Sequence, residues 1–445
     1  MDWVSALILM VGLLMALMAL GLPVGFAFLG VNIVGALVFL GGEAGLAQMV
    51  RNSVSALTNF SLVPIPLFLL MGEILFHTGL AYSAIEATNR LISRVPGRLS
   101  IVTVAGGTMF STLSGSSVAN TAMLGSTLLP DMLRRGYHPS IAMGPIMATG
   151  GIAMLIPPSA LAVLLGSLAG VSISQLLIAG VVPGLMMALV FLAYILLRCR
   201  INPALAPELP EDRAEAERLT TWERVRPFLT HVLPLLSIFV VVVGVMLLGW
   251  ATPTEAAAVG CAASLAAAAA YRRLSWAALS KALMETTKIA VMILFIIVAS
   301  TTFSQILSFS GATRGILNML RGIEIEPIIV VLLMLGILLI LGAFMDQISM
   351  IMVTLPFFIP LVGLFGIDPL WFAVLMLICM EISFMTPPFG LLIFVMKGVA
   401  PVGIRLGQVY RAAAPFVLLQ LLVLGLLLAW PVLATWLPGV AQALR

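Results

Sequence analysis

Residues 228–250, FLTHVLPLLSIFVVVVGVMLLGW, contain no Asp, Glu, Lys or Arg. About 20 apolar residues are enough for an α-helix to cross the roughly 30 Å hydrocarbon core of a bilayer. Comparable runs recur at 3–21, 24–42, 61–79, 171–197 and 411–438. Inside hydrocarbon every backbone N–H and C=O must be satisfied within the chain, so only helices or closed barrels span it. Barrel strands alternate polar and apolar residues, and these runs do not. The expectation is an all-α polytopic membrane protein with about ten crossings. Composition agrees: only 9% of the 445 residues are charged, against about 25% in soluble domains.

Several function classes drop out early. The opening MDWVSALILM lacks the basic start and the small-residue cleavage site of a signal peptide, so the first helix is expected to be retained. The net charge of +4 comes from short polar loops and leaves no basic patch for nucleic acid. Cys199, Cys261 and Cys379 show no paired spacing and read as packing residues. The sequence has neither the phosphate-cradling G-x-x-x-x-G-K-[ST] loop nor the zinc-binding H-E-x-x-H pair. The TLSG at 112–115 lacks the leading glycine of an intramembrane serine protease motif, and no histidine is placed to serve it. The chain is not expected to be an enzyme.

Against this oily background, STLSGSSVANTAMLG at 111–125 is out of character. A flexible linker would have polar flanks, but IVTVAGGTMF precedes this cluster and TAMLGSTLLP overlaps its end. As one helix, residues 100–133 would extend about 50 Å, too long for a single straight crossing. A re-entrant hairpin that turns near the membrane midplane at Ser114, Gly115, Ser116 and Ser117 resolves the mismatch. Such non-helical backbone is tolerated only against protein or a water-filled cavity. A second hairpin is expected over 326–366, with Gly342 and Asp346 near its centre.

Each hairpin is followed by a segment with a double proline, GGIAMLIPPSA at 150–160 and EISFMTPPFGL at 381–391. Proline has no N–H and clashes with the carbonyl four residues back, which frees carbonyls near Ala153 and Met154 and near Ser383 and Phe384. Freed carbonyls and hydroxyls suit a monovalent cation, and half-helix N-termini favour an anion. At an offset of 230 residues, Pro130, Gly136, Pro139, Pro157 and Pro158 coincide with Pro360, Gly366, Pro369, Pro387 and Pro388. This divides the chain into a first half, 1–199, a connector, 200–227, and a second half, 228–445. The first half holds the hairpin at about 100–133 and a broken helix at about 138–170. The second holds the hairpin at about 326–366 and a broken helix at about 367–400.

Arg90, Arg94, Arg98, Arg134 and Arg135 surround the first hairpin, while Arg314 and Arg321 near the second are offset by Glu324, Glu326 and Asp368. The positive-inside rule puts the first mouth in the cytoplasm and the second outside. Crossings at 138–170, 171–199, 228–250, 253–271 and 285–310 separate them; their odd number inverts the second half. Intramembrane acids are functional candidates, which singles out Asp346 and Glu381. Glu381 could equally cap or orient the broken helix. Glu73, Glu255 and Glu285 lie near segment ends, suited to snorkelling or pairing, and His77, His138 and His231 show no ligand spacing. Plain alternatives exist: proline pairs also kink ordinary membrane helices, and Gly115 and Ser116 also permit close helix packing. Two hairpins with two breaks in inverted register favour a secondary transporter over a channel or scaffold.

SGSSVANTAMLGSTLLPDMLRRGY, GGIAMLIPPS, GAFMDQISMIMVTLPFFIPL and EISFMTPPFGLLIFV, in this order, resemble the large membrane subunit of TRAP transporters, the tripartite ATP-independent periplasmic carriers. The resemblance covers nearly the whole chain. It implies an elevator-type fold and sodium-driven import of a small organic acid anion across the bacterial or archaeal cytoplasmic (inner) membrane. It also implies two partners, a small four-helix membrane subunit and an extracytoplasmic solute-binding protein, with no cofactor beyond coupling Na+. Carried over by motif, Ser114, Gly115, Ser116, Ser117, Asn120, Gly150, Gly151 and Pro157 frame one sodium and substrate site. Gly342, Asp346, Glu381, Thr386 and Pro387 frame the second. GGIAMLIPPS departs from the pattern of members with Gly or Thr inside that motif. A stand-alone ion or organic-anion carrier is the alternative within transport.

Overall fold

The computed structural model describes residues 1–92, 95–207, 220–388 and 390–443, with the side chains of 112–114 excepted. The middle of the polar connector, 208–219, and the side chain of Ser114 thus lie outside the described residues. Secondary structure among the described residues is helical throughout. In chain order the helices are α1 Trp3–Ala19, α2 Val24–Phe39, α3 Glu43–Leu57, α4 Pro64–His77, α5 Leu80–Leu91, α6 Arg98–Ser114, α7 Ser117–Thr127, α8 Leu129–Arg134, α9 Pro139–Gly150, α10 Ala160–Ala169, α11 Ile173–Ala179 and α12 Val181–Ile201. After the connector come α13 Thr221–Leu247, α14 Pro253–Ala270, α15 Trp276–Phe309, α16 Ala312–Arg321, α17 Pro327–Leu341, α18 Gln347–Leu364, α19 Pro369–Phe384, α20 Leu391–Val399, α21 Leu406–Ala429 and α22 Val432–Ala443.

Six helical stretches among the described residues are long and apolar enough to cross a membrane unaided, and five apolar helices are shorter. Part of the difference from about ten continuous crossings is local, because several apolar segments are interrupted; α1, α2 and α17 are continuous but shorter than 18 residues. Residues 139–169 form α9 and α10 around an irregular stretch containing Pro157 and Pro158. Residues 369–399 form α19 and α20 around Pro387 and Pro388. Both proline pairs are joined by cis peptide bonds. The apolar run at 411–438 is likewise divided, with α21 ending at Ala429 before Pro431.

These interrupted helices occupy the centre of the molecule. Every residue of α9 from Ile141 to Gly150, and of α19 from Trp371 to Phe384, is buried. Helix α9 packs on α6, α7 and α21, while α19 packs on α17 and α21. A second group packs around α15, which lies against α2 and α4, and α14 also packs on α4. The outward faces present apolar side chains such as Leu189, Val240, Leu418 and Leu422. That surface suits lipid, where the aqueous rule of polar exteriors is relaxed.

Candidate functional site

The first polar cluster breaks a helix pair by two local devices. Gly115 closes α6 in the left-handed region at φ 60°, which glycine enters without steric cost. Ser116 then turns extended and accepts a hydrogen bond from the Ala119 amide at 3.2 Å, capping α7. The break sits against the proline-interrupted segment, because a Cβ on Gly115 would lie 3.2 Å from the Pro158 carbonyl oxygen.

The second break uses the same plan with a stronger cap. Asp346, 230 positions after Ser116, is the N-cap of α18. Its carboxylate accepts from the Ile348 and Ser349 amides at 3.1 and 3.2 Å, and from the Ser349 hydroxyl. Gly342 ends α17 where only hydrogen fits; a Cβ there would overlap the Ser383 hydroxyl.

Between the breaks lies a buried polar cluster. Ser117 donates to Glu381 Oε1 at 2.6 Å, joining residues 264 positions apart. Ser111 donates to the Thr149 carbonyl at 2.6 Å and receives a hydrogen bond from Asn120. Asn120, Thr121, Glu381 and Gln420 are each 0% exposed. Asn120 Oδ1, Thr121 Oγ1 and both amide atoms of Gln420 have no hydrogen-bond partner among the described residues, while the Gln347 amide faces the Glu381 carboxyl. Such orphaned polar atoms are costly in an apolar interior and are available to a ligand. Gly150 and Gly151 make the cluster possible. A Cβ on Gly150 would lie 2.8 Å from Thr121 Oγ1, and one on Gly151 2.6 Å from Gln420 Nε2.

A cavity of about 230 Å³ opens beside this cluster. Gly115, Ser116, Ser117 and Val118 line it from the first break, and Asp346, Gln347 and Ile348 from the second. Leu69 and Glu73 on α4 and Ile289, Met292 and Ile293 on α15 form the opposite wall. Among the described residues the lining contains no Lys, Arg or His but two carboxylates, Glu73 and Asp346; since the Ala119, Ile348 and Ser349 amides are taken by the caps, an anion here would need a bound cation beside it. A second cavity of about 240 Å³, between α15 and α18, carries Ser300, Thr301, Ser304 and Ser308, with Met352, Leu355, Pro356, Ile359 and Pro360 of the third motif, but none of the candidate site residues.

The sequence-derived candidates are thus partly brought together. Gly115, Ser116, Ser117 and Asp346 meet at the cavity, and Asn120, Gly150, Gly151 and Glu381 lie in the polar cluster behind it. Gly342 packs on Ser383. Thr386 donates to the Ile382 carbonyl at 2.7 Å and, with Pro387, sits in the interruption after α19, as Pro157 does after α9. Gln420 was not singled out by sequence; its signal is one amide amid the apolar residues of α21. Glu73 pairs with His77 at 3.2 Å but also faces the cavity.

Residues 11–433 match the family described as "Tripartite ATP-independent periplasmic transporter, DctM component". The chain belongs to this family. It is the large permease subunit of a TRAP transporter, a membrane carrier component and not an enzyme. The chain is 32% identical over 389 residues to the C4-dicarboxylate TRAP transporter large permease protein DctM of Pseudomonas aeruginosa, covering 87% of this chain and 86% of that one. The isethionate TRAP transporter permease protein DctMQ of Oleidesulfovibrio alaskensis is 27% identical over 424 residues, which span 95% of this chain but 65% of the longer relative. Among solved structures, the YdaH transporter of Alcanivorax borkumensis, described as having an unusual topology, matches with a TM-score of 0.64 at 15% identity, over 88% of this chain and 91% of that one. At that identity the likeness concerns the fold alone.

Proposed function

We propose that this TRAP permease subunit imports a small organic acid anion into a bacterial cell by a sodium gradient, across the inner membrane. The observation that carries the proposal is the cavity shared by both helix breaks, lined by Ser116 and Ser117 from one helical N-terminus and by Asp346 and Gln347 from the other. Ser114, Gly115, Ser116, Ser117, Asn120, Gly150, Gly151 and Pro157 frame one sodium position in this proposal. Gly342, Asp346, Thr386 and Pro387 frame the other. Carbonyl and hydroxyl oxygens are suitable ligands for a hard monovalent ion, and a sodium ion beside each helix terminus supplies the positive charge that the lining side chains lack. The relatives named for C4-dicarboxylate and isethionate support an acidic cargo.

The further elements of the proposal are an inverted second half, an elevator motion of both hairpins against the α4–α15 wall, and two partners. A solute-binding protein outside the membrane delivers the cargo. A small membrane subunit completes the permease; the additional length of the DctMQ relative supports this subunit. The test is uptake into proteoliposomes holding this chain, the small subunit and the binding protein. Uptake is expected to need an inward sodium gradient and to collapse in Ser117→Leu and Thr386→Leu. Uptake undiminished without sodium overturns the coupling, and uptake by this chain alone overturns the tripartite assembly.

A further inference from the structure

The 230-residue offset that pairs the two halves places Glu381 opposite Gly151 and Gln347 opposite Ser117. In space these residues meet. The Cβ position of Gly151 lies 3.6 Å from Glu381 Cβ, so the two paired positions face one another at the junction of the halves. Only one of them carries a side chain. The absence of one at Gly151 leaves room for the Gln420 amide.

The Glu381 carboxyl belongs to the second half yet holds the tip of the first, through the 2.6 Å hydrogen bond from Ser117. Two residues on, Ser383 touches the second tip: its hydroxyl fills the space beside Gly342 and lies 3.8 Å from Met350 Sδ on α18. Three residues further, Thr386 is tied back to this turn through the Ile382 carbonyl. The last turn of α19 is therefore wedged between both hairpin tips. All its residues from Glu381 to Phe384 are buried, and closely packed interiors do not let one side of such a wedge shift without the other.

We infer that Glu381 is a positioning residue that makes the two tips order together, so that a sodium ion at one tip favours a sodium ion at the other. This deepens the sodium reading proposed above and rests on it. Glu381 acts through Ser117 and the α19 turn, and the effect is a coupling between two sites in the thermodynamic sense. Such couplings typically change affinity about 5–150-fold.

Hydrogen–deuterium exchange of the purified chain, titrated with sodium chloride against choline chloride at constant ionic strength, tests this. Peptides covering 111–121 and 340–350, one for each tip, are expected to gain protection at one common sodium midpoint. In Glu381→Ala the two midpoints are expected to separate by at least about fivefold. Glu381→Gln keeps an acceptor for Ser117 and is expected to restore the common midpoint. Separate midpoints in the unmodified chain overturn the inference, as does a common midpoint in a folded Glu381→Ala. Protection absent at every sodium concentration overturns instead the sodium reading itself. Should Glu381→Ala fail to fold, the unmodified chain and Glu381→Gln still decide, since separate midpoints in either one refute the coupling.

Discussion

At the residue scale, the site is shaped as much by missing side chains as by those present. Gly342 yields its space to Ser383, and Gly336, on the same helix, has nothing near its Cβ position. Gly342→Ala is therefore expected to lower stability by about 1–3 kcal/mol through overpacking, while Gly336→Ala leaves it unchanged or slightly raised. Thermal denaturation in detergent with a thiol-reactive dye compares the two, and equal midpoints would refute the packing argument. The sequence displayed the glycines and prolines openly, because turns and interrupted helices depend on local backbone preference. It did not display the Ser117–Glu381 pair, which joins residues 264 positions apart. Gln420 was equally hidden, since one amide in an apolar helix has no partner to announce it until α9 is packed against α21. Glu73 is both partner of His77 and part of a cavity wall, whereas its position near a segment end suggests only snorkelling or pairing.

At the element scale, the two arms that point into the cavity differ in their caps. Ser116 supplies one acceptor to α7, whereas Asp346 serves two amides and a hydroxyl at the start of α18. Ser116→Ala is expected to cost about 1 kcal/mol and Asp346→Ala about 2 kcal/mol, within the range of measured N-caps. Asp346→Asn keeps a good capping oxygen and is expected to retain most of the stability. Denaturant titration of the purified protein checks the series; if Asn behaves as Ala does, charge and not capping is what Asp346 contributes. On the outside of the bundle, Leu418 is 66% exposed midway along α21. Leu418→Arg is expected to raise the insertion cost by about 2.5–3.5 kcal/mol and to cut the membrane-inserted yield severely, as read by fractionation of tagged protein. Long apolar helices such as α15 and α21 were legible in sequence because their composition alone dictates them. The interruptions within shorter helices blurred the number of crossings.

At the scale of the whole molecule, the cavity is bounded by two groups of helices, one carrying the breaks and one built around α4 and α15. Val118 lies on the first wall and Met292 on the second. Cysteines introduced at both positions, joined through disulfides by a short bis-methanethiosulfonate, are expected to abolish uptake, with recovery after reduction. The native Cys199, Cys261 and Cys379 are free but buried, so background reaction is low. Transport that persists with the link intact would show that the two walls need not separate.

The α4–α15 wall is made of Leu69, Ile289, Met292 and Ile293, with Glu73 as its single charged member. Dispersion contacts of that kind carry no direction and re-form wherever a complementary surface arrives. In the sliding motion proposed above, such a surface would act as a greased rail, along which the tips would travel with few polar bonds to break.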